Sequence, residues 1–407
     1  MNTILKLASR NIWRNKSRTF ISAAAILFAV LLAIMMFSFQ GGAWDSTING
    51  VVNSYFGHVQ VHKKGYWEEQ IIDSAFSYQS LTKDIEQVEG VKAVLPRLEE
   101  FALFAFENET KGKRIVGTDP ILENEMSNLA SLIVEGEYLK PNDDGILIAD
   151  TMAREFNVKI GDTLAVLGQG YRGAQAVGTY PVRGFVKFNM PQMKEMVYMT
   201  IYQAQQLFYA DDLATTLVIL PKNQKTADQL ALKLQENTSD EYEVMHWKEL
   251  IPDLLQAKEL DTGGNKVVMG ILYLIIGFAI FGTILMMVKE RQYEFGVLTA
   301  IGMKRWQLGQ MVWIETILIG LIGAILGMLI AYPIVYHFHT NPVQIAAMGE
   351  DAVKAYADFG IPAEIPFTLN LGMFFNEALN VILMLTVFSI YPIWTILKLK
   401  PVEAMRE

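Results

Sequence analysis

The sequence predicts an α+β membrane protein: four transmembrane helices, with a large extracytoplasmic mixed α/β domain between the first and second. Three observations carry this reading. Of 407 residues 52% are hydrophobic, and they are clustered. Phe20 to Phe39, Val267 to Val288, Leu308 to Phe338 and Ala378 to Leu397 each come near or above the ~20 residues that cross a bilayer. Everything between Gln40 and Lys266 is mixed in character and reads as water-exposed. Finally, basic residues gather at one side of the apolar runs: Lys6, Arg10, Arg14, Lys16 and Arg18 before the first, Lys289, Arg291, Lys304 and Arg305 between the second and third, Lys398, Lys400 and Arg406 after the fourth. The positive-inside rule then puts both termini and the middle loop in the cytoplasm and the large domain outside.

The elements follow in order. Residues 1–19 place Ile4, Leu5, Leu7, Ala8, Ile12 and Trp13 at helical spacing among basic residues, an interfacial elbow helix on the inner leaflet. Span 1 (20–40) is long for a signal-peptide core and no small-x-small cleavage site follows it, so it reads as a retained anchor. The extracytoplasmic domain (41–265) alternates like strands at Gly57 to Val61, Gly145 to Ala149, Thr163 to Leu167, Thr179 to Val186, Met196 to Met199 and Thr216 to Leu220. Val91 to Phe106 reads as strands broken at Pro96. Helical patterns cover Leu81 to Val88, Thr151 to Phe156, Tyr202 to Phe208 and Gln224 to Glu236. The strand-rich stretch from about Leu122 to Met199 looks inserted into a flanking α/β unit. Span 2 (266–288), a cytoplasmic coupling segment (289–307), span 3 (308–338), an outer loop (339–371), span 4 (372–397) and a cytoplasmic tail (398–407) complete the chain.

The net charge of −9 resides mostly in the outer domain, so it reflects topology and gives no sign of a nucleic-acid partner. The absence of cysteine excludes disulfides and thiol chemistry. His58 and His62 are four apart, but on an alternating segment that spacing separates them along a strand, against a metal site. Gly168-Gln-Gly-Tyr-Arg-Gly173 has the spacing of a dinucleotide fingerprint. The chain after it holds Gly178 and Pro181 and returns to a strand, so Gly168, Gly170, Tyr171, Arg172 and Gly173 read as a hairpin loop and a candidate partner loop. No catalytic motif and no phosphate-binding loop occurs, so the chain reads as non-catalytic.

The coupling segment is the most informative stretch. Val297, Leu298 and Ile301 share one helical face, Gly296 and Ala300 stand four apart on another, and Gly302 suits a left-handed C-cap. Glu290, Arg291, Tyr293 and Glu294 add polar groups near the helix start. A short amphipathic helix held between two spans is suited to being gripped by a cytosolic partner. In span 3, Glu315 lies a turn or two inside the membrane, where a carboxylate must face protein or water. Gly320, Gly323 and Gly327 there form a small-residue face for close helix packing.

These residues resemble a known family. Glu290 to Leu308 is similar to the signature of FtsX-like ABC transporter permeases, with Thr299 where the family often has Arg. Leu7 to Phe20 resembles the family's opening elbow, Glu315 with Gly320, Gly323 and Gly327 its third span, and Pro392 to Arg406 its close. The outer domain resembles that of lipoprotein-releasing and MacB-type permeases at Val116 to Pro120, Glu135 to Leu139, Gly145 to Ile148, Val158 to Asp162 and Tyr198 to Gln205.

The resemblance implies a mechanotransmission (type VII) system of the bacterial inner membrane. In it this chain pairs with a second permease copy or paralogue and with a cytosolic ABC ATPase dimer that holds the ATP and Mg; no cofactor is expected in this chain. Glu290, Arg291, Glu294, Gly296, Val297, Leu298, Ala300, Ile301 and Gly302 would couple to the ATPase. The four-span layout without its own ATPase fits the lipoprotein-releasing branch, implying a lipoprotein or other amphiphilic client, contact with membrane lipid, and a periplasmic carrier or adaptor. The rival readings are a MacB-like efflux or peptide-export permease working with an adaptor, and an FtsX-like regulator of an extracytoplasmic hydrolase.

Overall fold

Each long apolar run folds into a helix, since only a helix satisfies all its backbone groups internally in lipid. The computed structural model describes residues 2–14, 16–188, 190–345 and 364–398, with Gly349 and Val353. The last part of the expected tail, including Lys400 and Arg406, lies outside the described residues. Among the described residues four helices are long and apolar enough to cross a membrane: Thr19–Phe56, Pro252–Glu290, Arg305–Thr340 and Leu371–Leu397, spans 1 to 4. Spans 1 and 2 are longer than the apolar runs predict, because their polar ends keep helical geometry through Val51 and from Pro252. Span 4 is interrupted at Ser389, between helices Leu371–Phe388 and Ile390–Leu397. Pro392 lacks an amide hydrogen and its ring crowds the carbonyl four residues back, at Phe388, which accounts for the break.

The membrane unit is organised around span 3. Its Val312, Ile319, Ala324 and Ala331 are buried with Ile26, Val30 and Ile34 of span 1, Ile280 and Ile284 of span 2, and Val381 and Leu385 of span 4. Asp261 of span 2 accepts hydrogen bonds from Trp44 Nε1 (2.7 Å) and Gln40 Nε2 (3.2 Å) of span 1. Only 25–33% of each span's most apolar window is buried. Phe28, Leu32, Ile275, Phe278, Leu329 and Leu383 therefore present an apolar exterior to lipid or another chain.

The large domain, residues 46–256, carries a ten-stranded sheet. In chain order its strands are β1 (Val59–Lys63), β2 (Val91–Phe106), β3 (Glu109–Thr118), β4 (Ile133–Gly136), β5 (Ile146–Ala149), β6 (Thr163–Gln169), β7 (Gln175–Val186), β8 (Met196–Thr200), β9 (Thr216–Pro221) and β10 (Tyr242–His246). Their spatial order is β10-β1-β9-β2-β3-β8-β5-β7-β4, and β6 pairs with both β2 and β7. That double pairing closes β2-β3-β8-β5-β7-β6 into a six-stranded ring, which leaves those strands no free edges. The ring surrounds one core of Leu98, Phe104, Ile115, Ile148, Val166, Val182 and Val197. A second core of Val59, Val61, Val94, Leu217, Ile219, Leu230 and Leu234 lies on the β10-β1-β9-β2 side. The strand-rich insert thus begins with the second half of β2, near Leu98, rather than at Leu122.

Pro96 does not break β2. The Arg97 carbonyl accepts from Thr215 N at 2.9 Å, so Arg97 faces the β9 edge. Pro96, one residue earlier, turns its imide nitrogen to the opposite edge, where pairing with β3 starts only at Arg97↔Thr118. No ladder hydrogen bond is lost.

Candidate functional site: the helix between spans 2 and 3

The segment singled out in the sequence folds as a short helix, Gln292–Ala300. Its end is fixed by Gly302, whose φ of 107° opens the left-handed region. Gly302 N bonds to Thr299 O at 3.1 Å and Met303 N to Leu298 O at 3.0 Å, the paired bonds of a Schellman stop. Leu298 and Met303, the two ends of that motif, both pack on the membrane unit's core.

The polar groups at its start are turned inward. Arg291 is buried; its Nη1 donates to Glu315 Oε2 of span 3 at 2.7 Å, and its guanidinium stands over the Phe295 ring at 5.1 Å. Glu294 accepts from Arg291 Nε at 3.3 Å and from Arg14 Nη2 of the elbow helix (Asn2–Arg14) at 2.5 and 2.6 Å. Burial alone would raise the Glu294 pKa; the hydrogen bond and charge of Arg14, then those of Arg291, hold it below the ordinary glutamate value. Arg14–Glu294 is solvent-exposed, so it adds about 0–1 kcal/mol, whereas Arg291–Glu315 is buried on both sides. The carboxylate inside span 3 is thereby explained as half of an ion pair.

The helix also divides its residues differently from the face expected above. Phe295 and Gly296 are buried, so Gly296 is spent within the chain, and Leu298 packs against the core that holds Leu308, Met311 and Val312. Thr299 donates to the Phe295 carbonyl at 2.8 Å, bonding its own helix. The outward face runs Tyr293, Val297, Ala300 and Ile301, with Val297 half-buried and Ile301 79% exposed. Glu290, Gly302 and Trp306 are exposed beside it.

Residues 19–237 match the MacB-like periplasmic core domain and residues 266–401 the FtsX-like permease C-terminal family. The chain belongs to the family of FtsX-like ABC transporter permeases with a MacB-like domain. This permease is 23% identical to the uncharacterized ABC transporter permease YknZ of Bacillus subtilis, over 99% of this chain and 98% of that one. It is 23% identical to the lipoprotein-releasing system transmembrane protein LolC of Xylella fastidiosa (78% of each chain). With LolE of Haemophilus influenzae it shares 21% over 94% of this chain and 93% of the other. Among solved structures, the periplasmic region of MacB from Actinobacillus actinomycetemcomitans aligns with a TM-score of 0.37 and 10% identity, covering 50% of this chain and 94% of that one.

The other residues singled out fall into place around the permease's spans and domain. A Cβ on Gly323 would sit 2.7 Å from the Ala23 carbonyl oxygen, and one on Gly327 2.9 Å from that of Leu27, so spans 1 and 3 meet backbone to backbone. Gly320 makes room for Leu385 of span 4. Gly168 to Gly173 forms the β6–β7 hairpin, as its return to a strand implies. Arg172 N donates to Asp73 at 2.6 Å, the Arg172 guanidinium covers the Tyr171 ring, and a Cβ on Gly170 would strike the Phe208 carbonyl. The candidate loop is a tight turn held down at both sides.

Two groups escaped the sequence reading. Arg14 looks like one more topogenic cation until its partner is seen. Glu377 is the single charged residue within 372–397, a signal that was available. It is buried in span 4 and accepts from the Tyr273 hydroxyl of span 2.

Proposed function

We propose that this permease takes force from a separate cytosolic ATPase through the Gln292–Ala300 helix and passes it along the spans to its large outer domain. Family membership implies a partner ATPase. One observation carries the rest: the helix leaves Tyr293, Ala300 and Ile301 exposed and Val297 half-exposed, while Arg291 at its start is bonded to span 3. A bare apolar strip on a firmly anchored helix suits a groove-docking partner. ATP and Mg belong in that partner, and both termini lie on its side of the membrane, which we take to be the bacterial inner membrane. A second permease copy or paralogue would line the exposed faces of the spans.

For the client we infer a lipoprotein or comparable amphiphile, released from the membrane toward a carrier or adaptor. The similarity to proteins named for lipoprotein release over most of their length supports this. A second reading, export of an amphiphile or peptide handed to an adaptor, draws support from the β6–β7 turn, which is too short and too tethered to hook a carrier.

The docking test uses the outward face. Ile301→Glu or Val297→Glu should abolish co-purification of the ATPase with the full-length permease. Leu298→Glu would be uninformative, because Leu298 packs against the permease's own core. Retained co-purification in both outward variants would remove the docking claim.

A further inference from the structure

The elbow helix is bound to the inter-span helix by a chain of charges that crosses three elements. Arg14 forks onto both carboxylate oxygens of Glu294, Glu294 meets Arg291 at 3.3 Å, and Arg291 reaches Glu315 at 2.7 Å. Arg14 and Glu294 are 280 residues apart in sequence. Among its described side chains the elbow helix seats Ala8 and Ile12 in the core shared with Phe295, Leu308 and Met311, and its exposed side carries Leu5, Leu7 and Trp13. Two further bonds hold the same end of the helix as Arg14: Thr19 Oγ1 donates to the Ile12 carbonyl at 2.9 Å, and Asn11 Nδ2 to Met311 Sδ at 3.8 Å.

We infer that Arg14 is a positioning residue for force transfer: its fork on Glu294 locks the elbow helix to the docking helix, so that the two and span 3 move as one body when a partner pushes. The inference rests on the docking reading above. The two halves of the charge chain differ in a way that gives each a role. Arg291–Glu315 is dry, with both side chains buried. Arg14–Glu294 is wet, with side chains 54% and 43% exposed, so water and salt keep it weak in the free chain. Glu294 lies three and seven residues before Val297 and Ile301, on the flank of the bare strip. A partner seated there would exclude water from the fork and strengthen it. Docking would thereby tighten the lock at the moment force is applied.

The absence of cysteine makes the test direct. Spin labels on Lys6→Cys and Ala300→Cys in the full-length chain should give a distance distribution that broadens in Arg14→Gln, while Arg14→Lys stays near the unaltered chain. High salt should broaden the unaltered chain as well. Equal distributions in the unaltered chain and Arg14→Gln, or a Lys variant as broad as the Gln variant, would overturn the lock. In the co-purified ATPase complex, Arg14→Gln should retain binding but lose permease-dependent change in ATP turnover. Unchanged turnover would overturn its role in force transfer. If no ATPase co-purifies with the unaltered chain, the docking reading fails, whereas the label distances still decide the lock.

Discussion

Arg291 Nη1 meets Glu315 Oε2 at 2.7 Å with both side chains about 5% exposed, so the family signature and the acid of span 3 form one buried pair. Removing either partner leaves the other charged in a dry site. Glu315→Leu alone should destabilise the full-length permease by about 3–5 kcal/mol, and Arg291→Leu combined with Glu315→Leu by much less. Equilibrium denaturation in detergent reads both. Equal losses for single and double variants would show that the pair is not a coupled unit.

Gly323 of span 3 and Gly270 of span 2 are separable by what surrounds them. At Gly323 a Cβ faces the Ala23 carbonyl oxygen at 2.7 Å, which belongs to a helix backbone and cannot yield. Gly323→Ala should cost about 1–3 kcal/mol by forcing spans 1 and 3 apart. At Gly270 nothing lies within 4 Å, so Gly270→Ala should be neutral or stabilise by about 0.5–1 kcal/mol through helix propensity. Thermal midpoints check the assignment: that of Gly323→Ala should fall, and that of Gly270→Ala should hold or rise.

The spans were legible because apolar runs longer than ~20 residues admit few other structures. The pinch at Gly323 and Gly327 was legible for a similar reason, since four-residue spacing of small residues on a helix has a direct packing meaning. Leu298 and Ile301 were not separable by sequence: an apolar residue facing the chain's own core and one facing outward have the same chemistry. Arg291 and Glu294 have polar groups suited to a partner, and only their distances to Glu315 and Arg14 show them spent inside the chain. The ring of six strands depends on β6 pairing with β2 some sixty positions away, which no local periodicity reports.

Gly302 isolates backbone conformation from packing. Its φ is 107° and no atom lies within 4 Å of where a Cβ would stand, so Gly302→Ala brings strain of about 1–2 kcal/mol without a clash. The last turn should fray, and the Met303 amide, bonded to the Leu298 carbonyl, should exchange with deuterium faster. ATPase co-purification should weaken in step, because Ile301 sits in that turn. Unaltered exchange at Met303 would mean that the Schellman stop does not hold the helix end.

The large domain should lose stability as pH falls below neutrality, and two histidines on β1 or beside it set the window. His62 is buried, stacked on Trp67 at 5.6 Å, with Nε2 2.7 Å from Gln60 Oε1 and no partner at Nδ1 among the described residues. Burial lowers its pKa from 6.5 to about 3; burial and then the charge of His246 lower that of His58 to about 4. Between about 6.5 and these folded values the unfolded chain binds more protons than the folded one. Stability is therefore complete above about 6.5 and declines as pH drops, by at most about 1.4 kcal/mol per pH unit for each histidine. Denaturation of the full-length chain, followed by intrinsic tryptophan fluorescence across this window, should show the decline. His62→Phe keeps a ring against Trp67 but cannot take a proton, so it should flatten the slope by the share His62 contributes. A slope unchanged in His62→Phe combined with His58→Phe would assign the acid sensitivity to other groups.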